Sequence, residues 1–211
     1  MTTAPERGTF VVLEGVDGAG KSTQCRRLAE ALRAQGRAVR QLAQPSKGDI
    51  GRLLRRLMGP EAAPAPGPRP MAALFAADRL DQLERRILPA LAAGETVICD
   101  RYDHSSVAFQ STAGDASEDE IAWIRSLNRH ACRPDVVFVL NVPTAQARAW
   151  RQGRPGQPEL YEDDALQAAL VQVYAKLERH FPEDRIVHID GAQTEAAVTA
   201  ALLAALQPCA T

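Results

Sequence analysis

One short segment constrains this chain more than any other. Gly15-Val16-Asp17-Gly18-Ala19-Gly20-Lys21-Ser22 follows an apolar run, Thr9 to Leu13, and precedes a stretch with helical periodicity. This is the spacing of a phosphate-binding loop, in the strand-loop-helix setting that such a loop requires. The glycines let the backbone turn inward, so that a nest of N–H groups and the following helix N-terminus surround an anion with positive potential. Lys21 then reaches the β and γ phosphates of a nucleoside triphosphate, and Ser22 offers its hydroxyl to Mg²⁺. Thr23 opens an amphipathic helix marked by Cys25, Leu28, Ala29 and Leu32. A glycine-rich turn with an exposed lysine is the plain alternative, and the strand ahead of the loop weighs against it.

With 211 residues and 45% apolar content, the chain has enough material for one substantial core and one domain with a mobile insertion. Its 25 basic and 26 acidic residues leave no positive stripe for nucleic acid or an acidic membrane surface. Any anionic ligand must therefore be held by a local cluster. Cys25, Cys99, Cys132 and Cys209 lie far apart without a CxxC pair, which argues against a zinc site or a disulfide framework. The N-terminus has no apolar signal core and no window approaches a membrane span, so the expected compartment is the cytoplasm.

Strand-like runs at Thr9–Leu13, Ala38–Leu42, Thr96–Cys99, Asp135–Val142 and Arg185–Ile189 alternate with helical patterns. The alternation predicts an α/β fold, a parallel sheet covered by helices on both faces. Helices are expected over Lys21–Gln35, Ile50–Met58, Met71–Ala93, Glu118–Ala131, Asp163–His180 and Thr194–Leu206, with a further helical segment over Thr144–Trp150. Gly59–Pro70 and Gln152–Pro158 break the rhythm and read as surface loops.

At the end of the third strand stands Asp100-Arg101-Tyr102. Ligands of open α/β sheets collect just outside such carboxyl ends, so Asp100 is aimed at the phosphate site and suits Mg²⁺, while the planar fork of Arg101 suits phosphate oxygens. An exposed ion pair closing the strand is the bland alternative. Phe75 and Arg79, at i and i+4, share a helical face from which a ring can stack on a base and a guanidinium can donate to a carbonyl. The competing arrangement is a core phenylalanine beside a surface salt bridge from Arg79 to Asp78 or Asp81.

Thr9–Thr23, the run Leu74-Phe-Ala-Ala-Asp-Arg79, and Asp100-Arg-Tyr followed by Ser105-Ser-Val-Ala-Phe-Gln110 together resemble the thymidylate kinase family, in order along nearly the whole chain and ending with the Tyr161-Glu162 and Tyr174 region. The resemblance implies a P-loop nucleoside-monophosphate kinase fold with a five-stranded parallel sheet, a short lid at about 148–160 and a homodimeric state. It implies phosphoryl transfer from MgATP to dTMP. It also implies that Arg101 takes the acceptor phosphate, that Asp17 lies near the acceptor sugar and metal, and that Phe75, Arg79, Ser106, Phe109 and Gln110 surround the acceptor nucleoside. No arginine lies between Gly15 and Lys21, so a transition-state cation must come from Arg148, Arg151 or Arg154; Arg154 and Arg151 are favoured because Arg148 belongs to the helical segment.

Two departures stand out. Where many members carry Arg-Glu-Pro, this chain has Ala43-Gln44-Pro45, and a neutral amide is not expected to replace a carboxylate as a charged metal or arginine partner. Phe109 stands where a tyrosine is common, leaving ribose exclusion to shape alone. The rival readings are a kinase for another pyrimidine monophosphate such as dUMP, a nucleoside kinase, and a non-catalytic nucleotide-binding subunit. A GTPase-like switch is disfavoured because the chain lacks an Asn-Lys-x-Asp signal.

Overall fold

A computed structural model of the chain describes residues 7–59, 64, 66–112, 117–153, 161 and 163–206. Five strands, β1 (Phe10–Glu14), β2 (Val39–Ala43), β3 (Thr96–Asp100), β4 (Val136–Asn141) and β5 (Ile186–Asp190), form one all-parallel sheet in the order β2-β3-β1-β4-β5. Each lies within a residue or so of its expected span. All five residues of β1 are buried, because helices cover both faces of the central strand. β1 pairs with β3 on one side and β4 on the other, so the order in which strands are added reverses there and a crevice opens at the carboxyl ends. Leu13 lies opposite Asp100 in this register, which brings Glu14 and Arg101 to the same rim.

The helices are α1 (Lys21–Ala34), α2 (Asp49–Met58), α3 (Pro68–Gln82), α4 (Leu88–Ala92), α5 (Asp103–Ser106), α6 (Glu118–Leu127), α7 (Thr144–Gln152), α8 (Asp164–Tyr174) and α9 (Glu195–Leu206). Several differ from expectation. The loop read as Gly59–Pro70 overruns, since α3 already starts at Pro68. Pro68 and Pro70 sit in its first turn, where no intrahelical N–H bond is required, so residues that look like helix breakers begin a helix. A π-helical stretch, Leu83–Ile87, joins α3 to α4 just ahead of Pro89, accommodating a residue that lacks an N–H. The helix expected over Asp163–His180 ends at Tyr174, followed by a 3₁₀ turn over Leu177–Arg179.

α5 and the π-helical stretch that continues it, Val107–Ser111, are absent from the periodicity reading. Asp103, His104 and Ser106 through Ser111 are all buried, and a helix buried on every side shows no amphipathic stripe. This segment carries several of the side chains that matter below.

Candidate active site

The phosphate loop joins β1 to α1 as the spacing predicts. Gly18 has φ 89°, and a Cβ there would lie 2.3 Å from the carbonyl oxygen of Ala147, so α7 packs directly on the loop backbone. Gly20, at φ 83°, caps α1. Lys21 is buried; its Nζ donates to the carbonyls of Gly15 at 3.0 Å and Val16 at 2.8 Å, which holds it across the loop mouth. Ala19 closes the turn by donating its N–H to Val16 O at 3.2 Å. Burial, with the nearby Arg101 charge, brings the Lys21 pKa down to about 8, against the opposing pull of Asp17, Asp100 and Glu14.

Beside the loop, Ser22 Oγ donates to Asp100 Oδ2 at 2.6 Å. The two residues singled out for a metal are thus adjacent, one at the start of α1 and one at the end of β3. Thr23, the last of the expected loop residues, lies half-buried in the first turn of α1.

Arg101 follows with φ 69°, a left-handed conformation that a side chain adopts only at a cost of about 1–2 kcal/mol. Its Nη2 donates to Asp17 Oδ1 at 2.6 Å, and its Nη1 donates to Ser105 Oγ at 2.9 Å and Tyr174 OH at 3.2 Å. The guanidinium also lies over the Phe109 ring, 4.7 Å from its centroid. Burial opposes its charge, but Asp17, Tyr174 and Glu14 outweigh that and hold the pKa above its ordinary value. Asp17 feels the converse: burial raises its pKa, yet Arg101 and Lys21 prevail and keep it lowered and ionised. The bland strand-closing ion pair between Asp100 and Arg101 is not what forms.

A cleft opens beside this pair, and Phe75, Arg79, Arg101, Ser106, Phe109 and Gln110 all line it. Arg79 is only 1% exposed. Its Nε donates to Gln44 Oε1 at 2.9 Å, its Nη1 to Asn128 Oδ1, and its Nη2 to Tyr102 O at 2.9 Å and Ser106 Oγ at 3.0 Å. The salt bridge to Asp78 or Asp81 does not form: Asp78 accepts from Ser46, and Asp81 pairs with Arg85. Gln44 therefore corrects the expectation drawn from its neutrality, since its amide oxygen is an arginine partner. Its Nε2 in turn donates to Gln82 Oε1 at 3.2 Å. Gln110 Oε1 is buried without a hydrogen-bond partner among the described residues.

Of the candidate lid cations, Arg151 donates to the carbonyl oxygen of Asp17 at 3.1 Å and to Asp164 Oδ1 at 2.8 Å, with its side chain 7% exposed. It belongs to α7 and reaches the phosphate loop directly. Arg148 pairs with the other oxygen of Asp164 at 2.9 Å on the surface. Arg154 lies outside the described residues, as do Glu162 and most of the expected lid.

Sequence reasoning passed over Glu14, Gln167 and Asn128. Each is buried; Gln167 and Asn128 hold Asp17 and Arg79 directly, and Glu14 holds Ser105 and Tyr174, which in turn hold Arg101. For Glu14 a signal existed, a carboxylate closing an apolar run; Gln167 and Asn128 carry no local mark.

A phosphate loop and a serine-aspartate pair at one end of a cleft, with a second cationic grip in the cleft itself, define a P-loop nucleoside-monophosphate kinase. Residues 13–202 match the family model described as thymidylate kinase. The chain is 40% identical over 185 residues to the "Probable thymidylate kinase" of Thermococcus onnurineus, covering 85% of this chain and 88% of that one. It is 35% identical over 207 residues to the thymidylate kinase of Alkalilimnicola ehrlichii, covering 97% and 95% respectively. The thymidylate kinase of Rhizorhabdus wittichii is 36% identical over 204 residues, covering 94% of this chain and 97% of the relative. The chain belongs to the thymidylate kinase family. Among the described residues, no helix is long and apolar enough to cross a membrane.

Proposed function

We propose that this enzyme transfers the γ-phosphoryl group of MgATP to dTMP, giving dTDP and ADP in the cytoplasm as a step toward dTTP. The observation that carries the reading is the 2.6 Å contact between Asp17 of the phosphate loop and Arg101 of the cleft, which ties the donor grip to the acceptor grip. Phosphoryl transfer asks a protein mainly for alignment and charge stabilisation. The acceptor phosphate is already anionic, so no strong base is needed.

In this reading the loop N–H groups from Gly15 to Thr23 and the Lys21 ammonium hold the triphosphate, while Arg101 holds the monophosphate. Arg151, already against the loop, supplies positive charge to the transferring group, with Arg154 as the second candidate. The Ser22 hydroxyl and Asp100 carboxylate are hard oxygen donors of the kind Mg²⁺ takes alongside phosphates. Bound there, the ion would offset the negative charge of the phosphate chain.

For the base, Arg79 offers its remaining Nη1–H as a donor, and the Gln110 amide, whose oxygen has no partner among the described residues, belongs to the same cleft. That pair complements a 4-keto pyrimidine with a protonated N3, and opposes the donor and acceptor order of cytosine. Phe75 supplies a stacking ring. Phe109, packed edge-on against Tyr161 with centroids 5.6 Å apart, fills space where a ribose hydroxyl would enter. We also read the enzyme as a homodimer from its family; Leu88, 43% exposed on α4, is an apolar surface residue consistent with that state.

The test is ADP release from MgATP with dTMP, dUMP, UMP, CMP and thymidine as acceptors. The highest kcat/KM is expected for dTMP and none for thymidine. Equal use of CMP, or turnover of thymidine, would refute the assignment.

A further inference from the structure

The two grips are both held by one helix, α8, none of whose residues lines the cleft. Gln167 and Tyr174 lie seven residues apart on α8, on one face of it, and are 1% and 2% exposed. Gln167 clamps the phosphate loop twice: its Oε1 accepts from the Asp17 N–H at 3.0 Å, and its Nε2 donates to Asp17 Oδ2 at 2.8 Å. The same Nε2 donates to the Tyr161 carbonyl at 2.7 Å.

Two turns further along, Tyr174 grips Arg101 through a hydrogen-bond relay anchored on Glu14. The Glu14 carboxylate is fully buried at the end of β1. Its Oε1 accepts from the N–H groups of Tyr102 at 2.8 Å and Ser105 at 3.2 Å. Its Oε2 accepts from Ser105 Oγ at 2.6 Å and Tyr174 OH at 3.0 Å. Each hydroxyl has a single proton, and the carboxylate takes both. Burial, followed by Glu14, keeps the Tyr174 phenol protonated by raising its pKa far above the ordinary value. The lone pairs of Ser105 and Tyr174 are therefore left to accept from Arg101 Nη1.

This relay has a geometric consequence. With Nη1 committed to two hydroxyls and one Nη2–H to Asp17, the Arg101 Nε–H and the other Nη2–H have no bond among the described residues. A planar guanidinium held at three points presents those two N–H groups in a fixed direction, as bidentate phosphate recognition requires. A phenylalanine and a leucine would fill the same core volume without polar atoms to satisfy, so packing alone does not call for tyrosine and glutamine here.

We propose that Tyr174 and Gln167 of α8 are positioning residues that hold the acceptor-phosphate arginine and the phosphate loop in register, with Glu14 as the fixed anchor of the relay. The proposal rests on the reading of Arg101 as the acceptor-phosphate ligand. Neither residue is assigned contact with substrate.

The experiment is calorimetric binding of dTMP and of thymidine, which lacks the phosphate, to the full-length wild type and to Tyr174→Phe. Loss of one bond to a charged group should weaken dTMP about tenfold. Thymidine affinity and the KM for ATP should stay unchanged, because only the direction of the phosphate grip is altered. Unchanged dTMP affinity, or equal weakening of dTMP and thymidine, overturns the proposal. Should Tyr174→Phe not fold by circular dichroism, Ser105→Ala removes the partner hydroxyl and carries the same expectation and the same refutation. A wild type that binds neither ligand would instead refute the dTMP reading itself, so the two failures are distinguishable.

Discussion

Asp17 and Arg101 come from different crossovers of the sheet, yet Asp17 Oδ1 accepts from Arg101 Nη2 at 2.6 Å with both side chains largely buried. Asp17 also accepts from Gln167 through its other oxygen. Asparagine at position 17 would have to turn its NH₂ toward one of these two donors. Asp17→Asn should therefore lower kcat by on the order of 10²-fold, since a bond to a charged group contributes about 1.5–3 kcal/mol. Steady-state rates with dTMP and MgATP check this, and an unchanged kcat would remove Asp17 from the alignment.

Lys21 sets a limit on the alkaline side. Its folded pKa of about 8 lies below the ordinary 10.5, so the ammonium is present below about 8 and is lost as pH rises through that value. The free enzyme should show a kcat/KM for ATP that declines above pH 8, because that parameter reports the unliganded protein. The kcat should hold to higher pH, since bound phosphates favour the charged form. A kcat/KM profile flat to pH 10 would contradict the burial argument. The sign for folding is opposite: between about 8 and 10.5 the unfolded chain binds more protons, so this group makes stability rise with pH there.

The candidate lid cations separate by position. Arg151 is buried against the phosphate loop, whereas Arg148 is an exposed partner of Asp164. Arg151→Ala should reduce kcat by on the order of 10³-fold, the lower range for a transition-state arginine, with little change in the KM for ATP. Arg148→Ala should leave kcat within about threefold, as expected for an exposed pair. Arg154→Ala tests the second candidate, and unchanged turnover would remove that residue from the mechanism.

In the proposed reading, base selectivity rests on Arg79 and on the neutral acceptors that aim it. Arg79→Ala should abolish the preference for dTMP over dCMP. Asn128→Leu leaves one Arg79 N–H unpaired and should weaken dTMP by about 1–3 kcal/mol without changing the KM for ATP. Competition binding of dTMP and dCMP measures both. Loss of thermal stability alone, with selectivity intact, would make Arg79 structural.

Away from the cleft, Asp184 accepts from His104 Nε2 at 2.7 Å and from Arg133 Nε at 3.0 Å, and also pairs with Arg133 Nη2. Burial pushes its pKa up, but the His104 and Arg133 bonds bring it down to about 2 from the ordinary 3.8. A lowered carboxylate pKa gives stability that is complete above the unfolded value and disappears as pH falls from about 4 to about 2. Asp184→Asn should cost about 3 kcal/mol at pH 7 and flatten that acid limb, as followed by denaturant unfolding. An unchanged unfolding midpoint would mean that the cluster contributes no net stability.

What the amino-acid order makes legible is whatever is local. The phosphate loop, the strand-end Asp100-Arg101 pair and the Phe75–Arg79 spacing each lie within one turn or one strand, where backbone geometry dictates which side chains sit together. The buried helix Asp103–Ser111 escaped notice because polar residues on a fully enclosed helix erase the periodic signal. Pro68 and Pro70 misled for a related reason: a proline's meaning depends on whether its missing N–H was needed.

By itself, then, the amino-acid order determined the alternating architecture, the anion-binding turn and most of the residues that line the cleft. Tertiary structure alone decided how those residues are oriented. Glu14 and Tyr174 are 160 positions apart, and Asp17 and Gln167 are 150 apart. A hydrogen bond across such a separation leaves no trace in spacing or composition, because it exists only once hydrophobic burial has folded α8 over the rim of the sheet.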